Sequence, residues 1–555
     1  MKYLIMLILI CFGGVLFAQT APNKYWVQFT DKANSPFSID QPDEYLSYRS
    51  IDRRRRYEIA VTEQDLPVNP QYVDTIQELG VTILNRSKWF NGISIFTQDT
   101  IVLDQIRNLD FVRSIKTVKA LPARYPRNKW IEFKSLAGLS TDTTTDTTLF
   151  DYGYGTNQIG MLNGHILHNQ GFHGQGMVIA VLDGGFSNTD INPAFDSLWQ
   201  NNQILGTWDF VINGPVEFNK HSHGSQVLST MGANIPGSLV GTAPKASFYL
   251  LRTEDGASEF LIEEDHWVSG AEFADSVGAD LITSSLSYTT FTNPSMDHSY
   301  SDLDGNTTRI TQGADIAASK GILVITSAAN EGNKNWHYIG APADGDSVLT
   351  VGSVDSQGNY SAFSSTGPSY DGRIKPNLTA QGDGTAIAAS SGTIIFGTGT
   401  SYSTPVISGI AACLWQSNKS LTNMEIIKAL ESSASQANSP DSLLGYGIPD
   451  LSKAFFLIQG IDSSAIKSET IIRTFPNPFI THLNIDFYSQ SPSPFDLQIV
   501  DLHGRIVFEK SYVPGYVNFN HIRLTEFNDL ASGTYLLRII SQTNHYEAIV
   551  IHQTN

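Results

Sequence analysis

The sequence predicts an α/β fold: a central domain of three layers around a mostly parallel sheet, between a small α+β domain and a small all-β sandwich. The runs 177–183 and 322–327 are continuously apolar, which is typical of strands buried on both faces of a parallel sheet. Segments with helical spacing separate these runs from further apolar runs, which lie at 248–251, 281–286 and 348–351. After about residue 469, apolar and polar residues alternate between turn signals, which indicates a sandwich of roughly seven strands.

Length and composition restrict the class of protein. The chain has 555 residues, too many for one hydrophobic core, so we expect several domains. Charged residues make up 16% and aromatic residues 11% of the chain, which favours globular structure. The net charge of −19 argues against a nucleic-acid partner, because such partners attract basic surfaces.

The first residues are typical of a secretory signal peptide. Lys2 precedes a short apolar run at 4–17, so we predict a signal over 1–18 that is too short to span a membrane. No later apolar run has spanning length, and we therefore predict no transmembrane anchor in the mature chain. Cys11 would leave with the signal, and Cys413 would remain as a buried, inert thiol on an apolar helix.

Residues 20–120 predict a compact α+β domain. The segments 25–29 and 92–96 have strand character, and apolar residues around 72–79 and 102–109 recur at helical spacing. The arginine run 53–56 has three interpretations, namely a processing site, a nucleic-acid patch or a solvated helix face. We favour the solvated face, because the run lies inside a periodic segment.

A connection of different composition follows over 121–151. It contains Pro122 and Pro126 and a low-complexity run of Ser, Thr and Asp at 140–148, which predicts an exposed segment that folds poorly. Proteolytic nicking concentrates in such segments, so we expect an activation cut here. The next domain is predicted over 152–460, with a short polar linker at 461–468 before the last domain at 469–555.

A Gly-rich turn at 399–405 opens a buried apolar helix and places Ser401 at its start. Free backbone N–H groups and the positive end of the helix dipole favour a developing negative charge there. Pro405 fits this position, because its missing N–H would otherwise bond to the carbonyl of Ser401. Ser401 is therefore a candidate nucleophile, although a serine at this position is also a common helix cap.

Two further segments supply partners for this serine. Asp183 follows a buried strand, at the edge where α/β sheets place their sites, although an Asp there also caps turns. His223 opens a small-residue helix after His221, and this pair of histidines could bind a metal. No Cys or carboxylate stands at ligand spacing, which makes a metal the weaker interpretation.

The chain order Asp183, His223, Ser401 resembles that of the subtilisin-like serine peptidases (subtilases). The resemblance covers roughly 155–457. It includes a buried strand that ends in Asn330, at the family's oxyanion-hole position. In such a triad His223 would take the proton of Ser401, and Asp183 would hold the imidazole. The resemblance implies a three-layer subtilisin-like domain, a propeptide at 20–120 that assists folding and inhibits, and an oxyanion held by Asn330 and the N–H of Ser401.

The resemblance also implies a segment that pairs with the substrate chain. This segment would be Ser285, Leu286 and Ser287, with Ala328 and Ala329 at the rim of the pocket. The family usually has glycine where Ser287 and Ala329 stand. These two changes bring the family's preference for a large apolar residue before the scissile bond into question, whereas the mechanism is unaffected.

One acidic loop is a weak candidate for calcium. Asp302, Asp304 and Asn306 alternate around Gly305, but the spacing does not match an EF-hand and no bidentate Glu follows. Subtilisin-like folds often bind structural calcium somewhere, whereas the triad chemistry requires no cofactor.

The last domain carries three ordered motifs that resemble the C-terminal sorting domains of the type IX secretion system, at 475–479, 501–505 and 532–536. The resemblance implies export through the periplasm of a Gram-negative bacterium to the cell surface or the medium. A β-sandwich alone would equally suit a carbohydrate-binding or spacer module.

Together these features predict a secreted serine endopeptidase that acts on proteins or peptides. Its other partners would be its own propeptide and the type IX machinery. A catalytically silent surface adhesin or binding module on the same fold is the opposing hypothesis. A peptide ligase that uses the same acyl-enzyme is a third.

Overall fold

A computed structural model describes residues 23–120, 133–134, 150–460 and most of 470–554. In the last range the gaps are 490–493, 513–517, 526, 528–529 and 542–544. The predicted signal, the polar linker and nearly all of the predicted connection lie outside the described residues. Among the residues described, no helix combines the length and the apolar character needed to cross a membrane.

The N-terminal unit is a four-stranded antiparallel sheet with helices. The sheet has the order β2-β3-β1-β4, and the predicted strands and helices of this region are confirmed. α1 is inserted between the first strand and α2. The elements are β1 (Lys24–Phe29), α1 (Tyr48–Arg56), α2 (Pro70–Glu78), β2 (Thr82–Ser87), β3 (Gly92–Phe96), α3 (Thr100–Arg107) and β4 (Val112–Lys119).

The central unit alternates strands and helices, as predicted. Its strands are β5 (Phe133–Lys134), β6 (Val178–Asp183), β7 (Ile204–Asp209), β8 (Asn234–Ile235), β9 (Leu239–Val240), β10 (Ser247–Arg252), β11 (Leu281–Ser284), β12 (Leu323–Ser327), β13 (Leu349–Val354), β14 (Leu378–Gln381), β15 (Asp383–Ala388) and β16 (Ile394–Thr398). Its helices are α4 (Thr156–Gly160), α5 (His165–Asn169), α6 (Asp196–Gln200), α7 (His223–Gly232), α8 (Ile262–Val277), α9 (Arg309–Ser319), α10 (Thr400–Ser417), α11 (Asn423–Ser433) and α12 (Leu451–Ile458).

Seven strands of this unit form one parallel sheet in the order β14-β13-β12-β11-β6-β10-β7. Alternate residues of β6 face opposite layers, because side chains alternate across a strand. Ile179 and Val181 pack with α7 and α10, whereas Ala180 and Leu182 pack with α8 and α9. Burial on both faces explains why the sequence of this strand is continuously apolar.

The order of the strands reverses at β6. The chain passes from β6 to β7 and β10 on one side, and then to β11–β14 on the other. Open α/β sheets place their sites beyond the carboxyl ends of the strands at such a switch point. Asp183 is the last residue of β6 and therefore stands at this point.

The C-terminal unit is a sandwich with the seven strands that the alternation predicts. Its sheets have the orders β17-β18-β21 and β20-β19-β22-β23, and they share one apolar core among the described residues. The strands are β17 (Thr470–Phe475), β18 (Leu483–Ser489), β19 (Phe495–Val500), β20 (Ile506–Tyr512), β21 (Asn518–Leu524), β22 (Gly533–Ile540) and β23 (His545–His552).

The N-terminal unit packs against α8 of the central unit through buried acidic side chains. Glu272 accepts hydrogen bonds from the Ser87 hydroxyl at 2.5 Å and from the backbone N–H groups of Lys88 and Trp89 at 2.8 and 3.0 Å. Asp265 accepts one from the hydroxyl of Ser94 at 2.8 Å. The side chains of α8 therefore hold the strands β2 and β3.

The prediction of a solvated arginine face on α1 is wrong for half of the run. Arg53 and Arg54 are 3% and 2% exposed, and both pair with Asp275 of α8. Arg55 and Arg56 are exposed. Helical periodicity located the helix, but it did not reveal that a second domain covers one side of it.

Candidate active site

The predicted site residues come together at the carboxyl edge of the parallel sheet. Asp183 ends β6, Ser285 directly follows β11, and Asn330 follows β12 by three residues. His223 and Ser401 lie at the starts of α7 and α10. The carboxyl ends of parallel strands share one edge, and helices that pack against them begin there, so the topology gathers residues that are far apart in the sequence.

Asp183 and His223 form a buried hydrogen bond. His223 Nδ1 lies 2.8 Å from Asp183 Oδ1, and the two residues are 3% and 0% exposed. The same carboxylate oxygen accepts the N–H of Gly184 at 2.7 Å. Since a carboxylate only accepts, the proton of the neutral imidazole is held on Nδ1, which makes Nε2 the basic nitrogen.

A glycine makes this pairing sterically feasible. A Cβ on Gly224 would lie 2.6 Å from the carbonyl oxygen of Gly185 and 3.0 Å from Cβ of Asp183. Its own N–H donates to that carbonyl at 2.9 Å. The first turn of α7 can therefore approach the end of β6 closely only because residue 224 has no side chain.

Ser401, at the start of α10, forms two reciprocal hydrogen bonds with Ser285. Pro405 has no N–H, so the carbonyl of Ser401 receives no helical bond from it. The hydroxyl of Ser285 donates to that carbonyl instead, at 2.9 Å. The hydroxyl of Ser401, which is buried, donates to the carbonyl of Ser285 at 3.4 Å. This long bond restrains the hydroxyl only weakly.

The side chain of Asn330 is oriented by Thr400. Its Oδ1 accepts the backbone N–H of Thr400 at 2.9 Å and the Thr400 hydroxyl at 3.1 Å. A backbone N–H can only donate, so the oxygen of the amide must face Thr400. The NH₂ group is consequently directed away from Thr400 and remains a donor for another acceptor.

The predicted substrate segment combines buried side chains with a strained backbone. Leu286 and Ala328 are buried and pack in the core on the α8 side of the sheet, so their side chains face away from solvent. Ala329 has φ of +93°, in the region that favours glycine. A Cβ on Gly340 would lie 2.2 Å from the hydroxyl oxygen of Ser287, so these residues are in close contact.

Sequence reasoning missed a pair of residues that adjoins the site. The Tyr402 hydroxyl donates to Gln226 Oε1 at 3.0 Å, and the Tyr402 ring centroid lies 6.1 Å from that of His223. Gln226 stands one turn after His223, and Tyr402 directly follows Ser401. The position of Tyr402 next to the candidate nucleophile was the sequence signal that could have indicated this pair. The pair ties α7 to α10 close to the reacting groups.

The surroundings of His221 and Cys413, two further side chains with candidate chemistry, affect their ionisation. Burial and the neighbouring His223 lower the pKa of His221, which therefore favours the neutral ring. Cys413 is fully buried, as predicted, and burial raises the pKa of its thiol. Both effects disfavour charge on these side chains at neutral pH.

The carboxylates of the proposed calcium loop are engaged by their own loop. Asp302 accepts the N–H and hydroxyl of Ser299, and Asp304 accepts the N–H groups of Asn306 and Thr307. Among the residues described, no group of three or more His, Cys, Asp or Glu is arranged to hold a metal ion. Calcium at residues 302, 304 and 306 stays a prediction.

We predict that Gly224→Ala separates His223 from Asp183. The added methyl group needs space that the Gly185 carbonyl and the Phe186 ring occupy. A misplacement of about 1 Å typically lowers reactivity about 10²-fold, so labelling of Ser401 by a fluorophosphonate should slow by that factor. Gly160→Ala is the matched control, because nothing lies within 4 Å of its Cβ position. Equal labelling rates in the two variants would contradict the steric argument.

Comparison with curated proteins finds relatives over the central unit. The chain is 30% identical over 292 residues to subtilisin E of Bacillus subtilis, which covers 51% of this chain and 65% of that protein. It is 30% identical over 297 residues to a subtilisin of Bacillus pumilus, covering 52% and 92%. A crystal structure of MycP1 from Mycobacterium smegmatis matches with 20% identity and a TM-score of 0.42, covering 60% of this chain and 92% of that one.

Three family models match in the predicted order. The peptidase S8 propeptide domain of Bacteroidota matches residues 24–132, the subtilase family 174–447, and the secretion system C-terminal sorting domain 473–552. The resemblances stated from the motifs are thereby confirmed. The chain carries an S8 propeptide domain before the subtilase domain and a sorting domain after it. Because it is also 30% identical to the Bacillus pumilus subtilisin over 92% of that protein, the chain belongs to the subtilase family.

Proposed function

We propose that this protein is a secreted serine endopeptidase that hydrolyses peptide bonds through an acyl-enzyme on Ser401. The buried hydrogen bond between Asp183 and His223, at the edge of the sheet where Ser401 begins its helix, is the observation that carries the proposal. A hydroxyl becomes a useful nucleophile only when a base takes its proton, and the imidazole of His223, with its Nδ1 held by Asp183, leaves Nε2 for this role. Membership of the subtilase family supports the same activity.

Acylation would begin when His223 Nε2 takes the proton of the Ser401 hydroxyl as its oxygen attacks the scissile carbonyl carbon. The carbonyl π electrons move to the oxygen, which becomes an oxyanion. The side-chain N–H of Asn330 and the backbone N–H of Ser401 would donate to it. Asp183 stabilises the imidazolium that forms, without taking its proton.

The same imidazolium would complete the step. His223 gives its proton to the leaving amine as the C–N bond breaks, which leaves an ester on Ser401. A water molecule, deprotonated by His223, then attacks the ester carbonyl and releases the acid and the free hydroxyl. The substrate chain would lie along the backbone of residues 285–287, as an added strand.

We predict that Asn330→Ala lowers kcat by about 10²–10³-fold while KM changes little, because the lost donor acts on the oxyanion and not on the bound substrate. Steady-state hydrolysis of a peptide from a mixed library measures both constants. Asn306→Ala is the control, because its side-chain N–H donates to the carbonyl of Asp304 within an exposed loop. If the Asn330 variant keeps full kcat, its proposed role is wrong.

The opposing hypothesis, a silent binding module, is tested by the same protein. A processed and folded sample that neither reacts with a fluorophosphonate nor cleaves any library peptide would favour an adhesin. Joining of an added amine-bearing peptide, in place of hydrolysis, would indicate a ligase.

The N-terminal domain would keep the enzyme inactive until the connection is cut. Phe133 pairs with Gly397, four residues before Ser401, so the two described residues of the connection, 133 and 134, belong to the same small sheet as β16. This pairing supports cleavage of the connection by the protein itself, within 121–151. The catalytic domain and its own propeptide would then remain as two chains.

We predict that Ser401→Ala leaves the propeptide attached, because the variant has no nucleophile for the cut. The ratio of full-length to processed protein on a denaturing gel measures this. Ser417→Ala, at the far end of α10, is the matched control and should be processed normally. Normal trimming of the Ser401 variant would show that another protease performs the cut.

The sorting domain indicates a secreted or surface protein, and we propose export through the periplasm by the type IX machinery. Deletion of all residues after about 465 should trap active enzyme in the periplasm, because the sandwich of β17–β23 is removed while the central unit is intact. Activity assays on periplasmic and surface fractions measure the outcome. Efficient surface delivery of the truncated protein would contradict the sorting role.

A further inference from the structure

α1 lies between β1 and α2 in the chain, and it contacts the ends of helices of the central unit. The N–H of Ser47, before its first turn, donates to the carbonyl of Ser276 in the last turn of α8 at 2.8 Å. Gly278 ends that helix with φ of +77°, and a Cβ there would lie 2.4 Å from Cβ of Arg49. At its other end, Tyr57 donates through its hydroxyl to the carbonyl of Lys419, just after α10.

Arg53 joins the ends of α8 and α9. Its Nε donates to the carbonyl of Lys320 at 2.9 Å, its Nη1 to the carbonyl of Ala279 at 2.5 Å, and its Nη2 to the Asp275 carboxylate at 2.7 Å. The carboxyl ends of helices carry partial negative charge, and a planar guanidinium can bond to several acceptors at once. A buried arginine is therefore matched here by acceptors from two helices.

Asp275 depends on the N-terminal unit for its partners. Arg54 binds it with two hydrogen bonds of 2.9 Å, and Lys88 lies 3.0 Å away. These cations lower the pKa of the Asp275 carboxyl despite its burial. Among the residues that the structure describes, its cationic partners are Arg53, Arg54 and Lys88, which all belong to the N-terminal unit.

This contact lies at the edge of the sheet opposite the candidate active site. α8 and α9 each run from the carboxyl edge back to the amino ends of β11 and β12. Their last residues, and therefore Arg53, lie at the amino edge, whereas Asp183, His223 and Ser401 lie at the carboxyl edge. A cut within the connection removes none of the contacts of α1, since they lie at the opposite edge of the sheet from Ser401.

We propose that α1 is a docking element that keeps the cleaved N-terminal domain bound to the catalytic domain, through recognition of the ends of α8 and α9 by Arg53. The partner of this surface is the N-terminal domain of the same chain. The proposal rests on the proposed function, since it concerns how long the inhibitor remains after the cut. The contacts of α1 would set how slowly the cleaved domain leaves.

The test uses the full-length chain with Ser401→Ala, so that it does not depend on catalysis. A protease recognition sequence replaces residues 140–148, and an added protease cuts the folded protein there. Size-exclusion chromatography of the cut sample then measures the dissociation rate of the N-terminal domain. Removing one partner of a buried charge cluster is strongly destabilising, so Arg53→Met should speed dissociation by about 10²–10⁴-fold.

Arg55→Ala is the matched control, because Arg55 lies on the same helix and is exposed. We expect it to dissociate at the parent rate. If the Arg53→Met chain does not fold, Arg53→Lys replaces it, since a lysine keeps the charge but cannot bond to both carbonyls and Asp275 together. An Arg53 variant that dissociates as slowly as the control overturns the proposal.

A second arm uses the chain with its native serine and follows the lag before peptide hydrolysis. Arg53→Met should shorten the lag, and Arg55→Ala should not change it. If no chain hydrolyses peptides, but Arg53→Met still dissociates faster than Arg55→Ala in the first arm, the proposed protease is refuted and the docking role of α1 stands. An unchanged lag with normal final activity would refute the role of α1 in activation.

Discussion

The buried carboxylate of Asp183 constrains the rest of the site. It ends the central strand at the point where the strand order reverses, inside a core that is apolar on both faces. A charge in such a place needs donors, and it finds them in the N–H of Gly184 and the imidazole of His223. The imidazole can reach the carboxylate only if α7 approaches β6 closely, which Gly224 permits. The packing of one helix on one strand therefore decides which tautomer the base adopts.

The sequence predicted most of the fold because apolar residues recur in it with clear strand and helix periodicity. Strands buried on both faces, such as β6, give unbroken apolar runs, and the C-terminal sandwich gives clean alternation. It also predicted which edge of the sheet would hold the site, since parallel strands share their carboxyl ends. The tie between Gln226 and Tyr402 was not predicted, because a polar residue on a helix does not indicate its partner 176 positions away.

The arginine run at 53–56 shows why helical periodicity did not predict the burial of two of its side chains. A pattern of charge on a helix distinguishes an apolar face from a polar one, and a polar face is normally solvated. Arg53 and Arg54 are instead buried, because the surface that covers them supplies acceptors at geometries suited to guanidinium groups. That surface lies more than 200 residues further along the chain. Only the three-dimensional arrangement shows that the charges of the two domains compensate each other.

Asp183 and Asp275 lie at opposite edges of one sheet, and both need hydrogen-bond donors. Each is a fully buried carboxylate that must be matched by donors. The partner of Asp183 lies within its own domain, which would suit a carboxylate that orients a base. The cations that match Asp275 lie in the N-terminal domain, so departure of that domain would expose the carboxylate to water, which also stabilises its charge. The same kind of pair would thus be a fixed part of the proposed chemistry at one edge and a separable contact at the other.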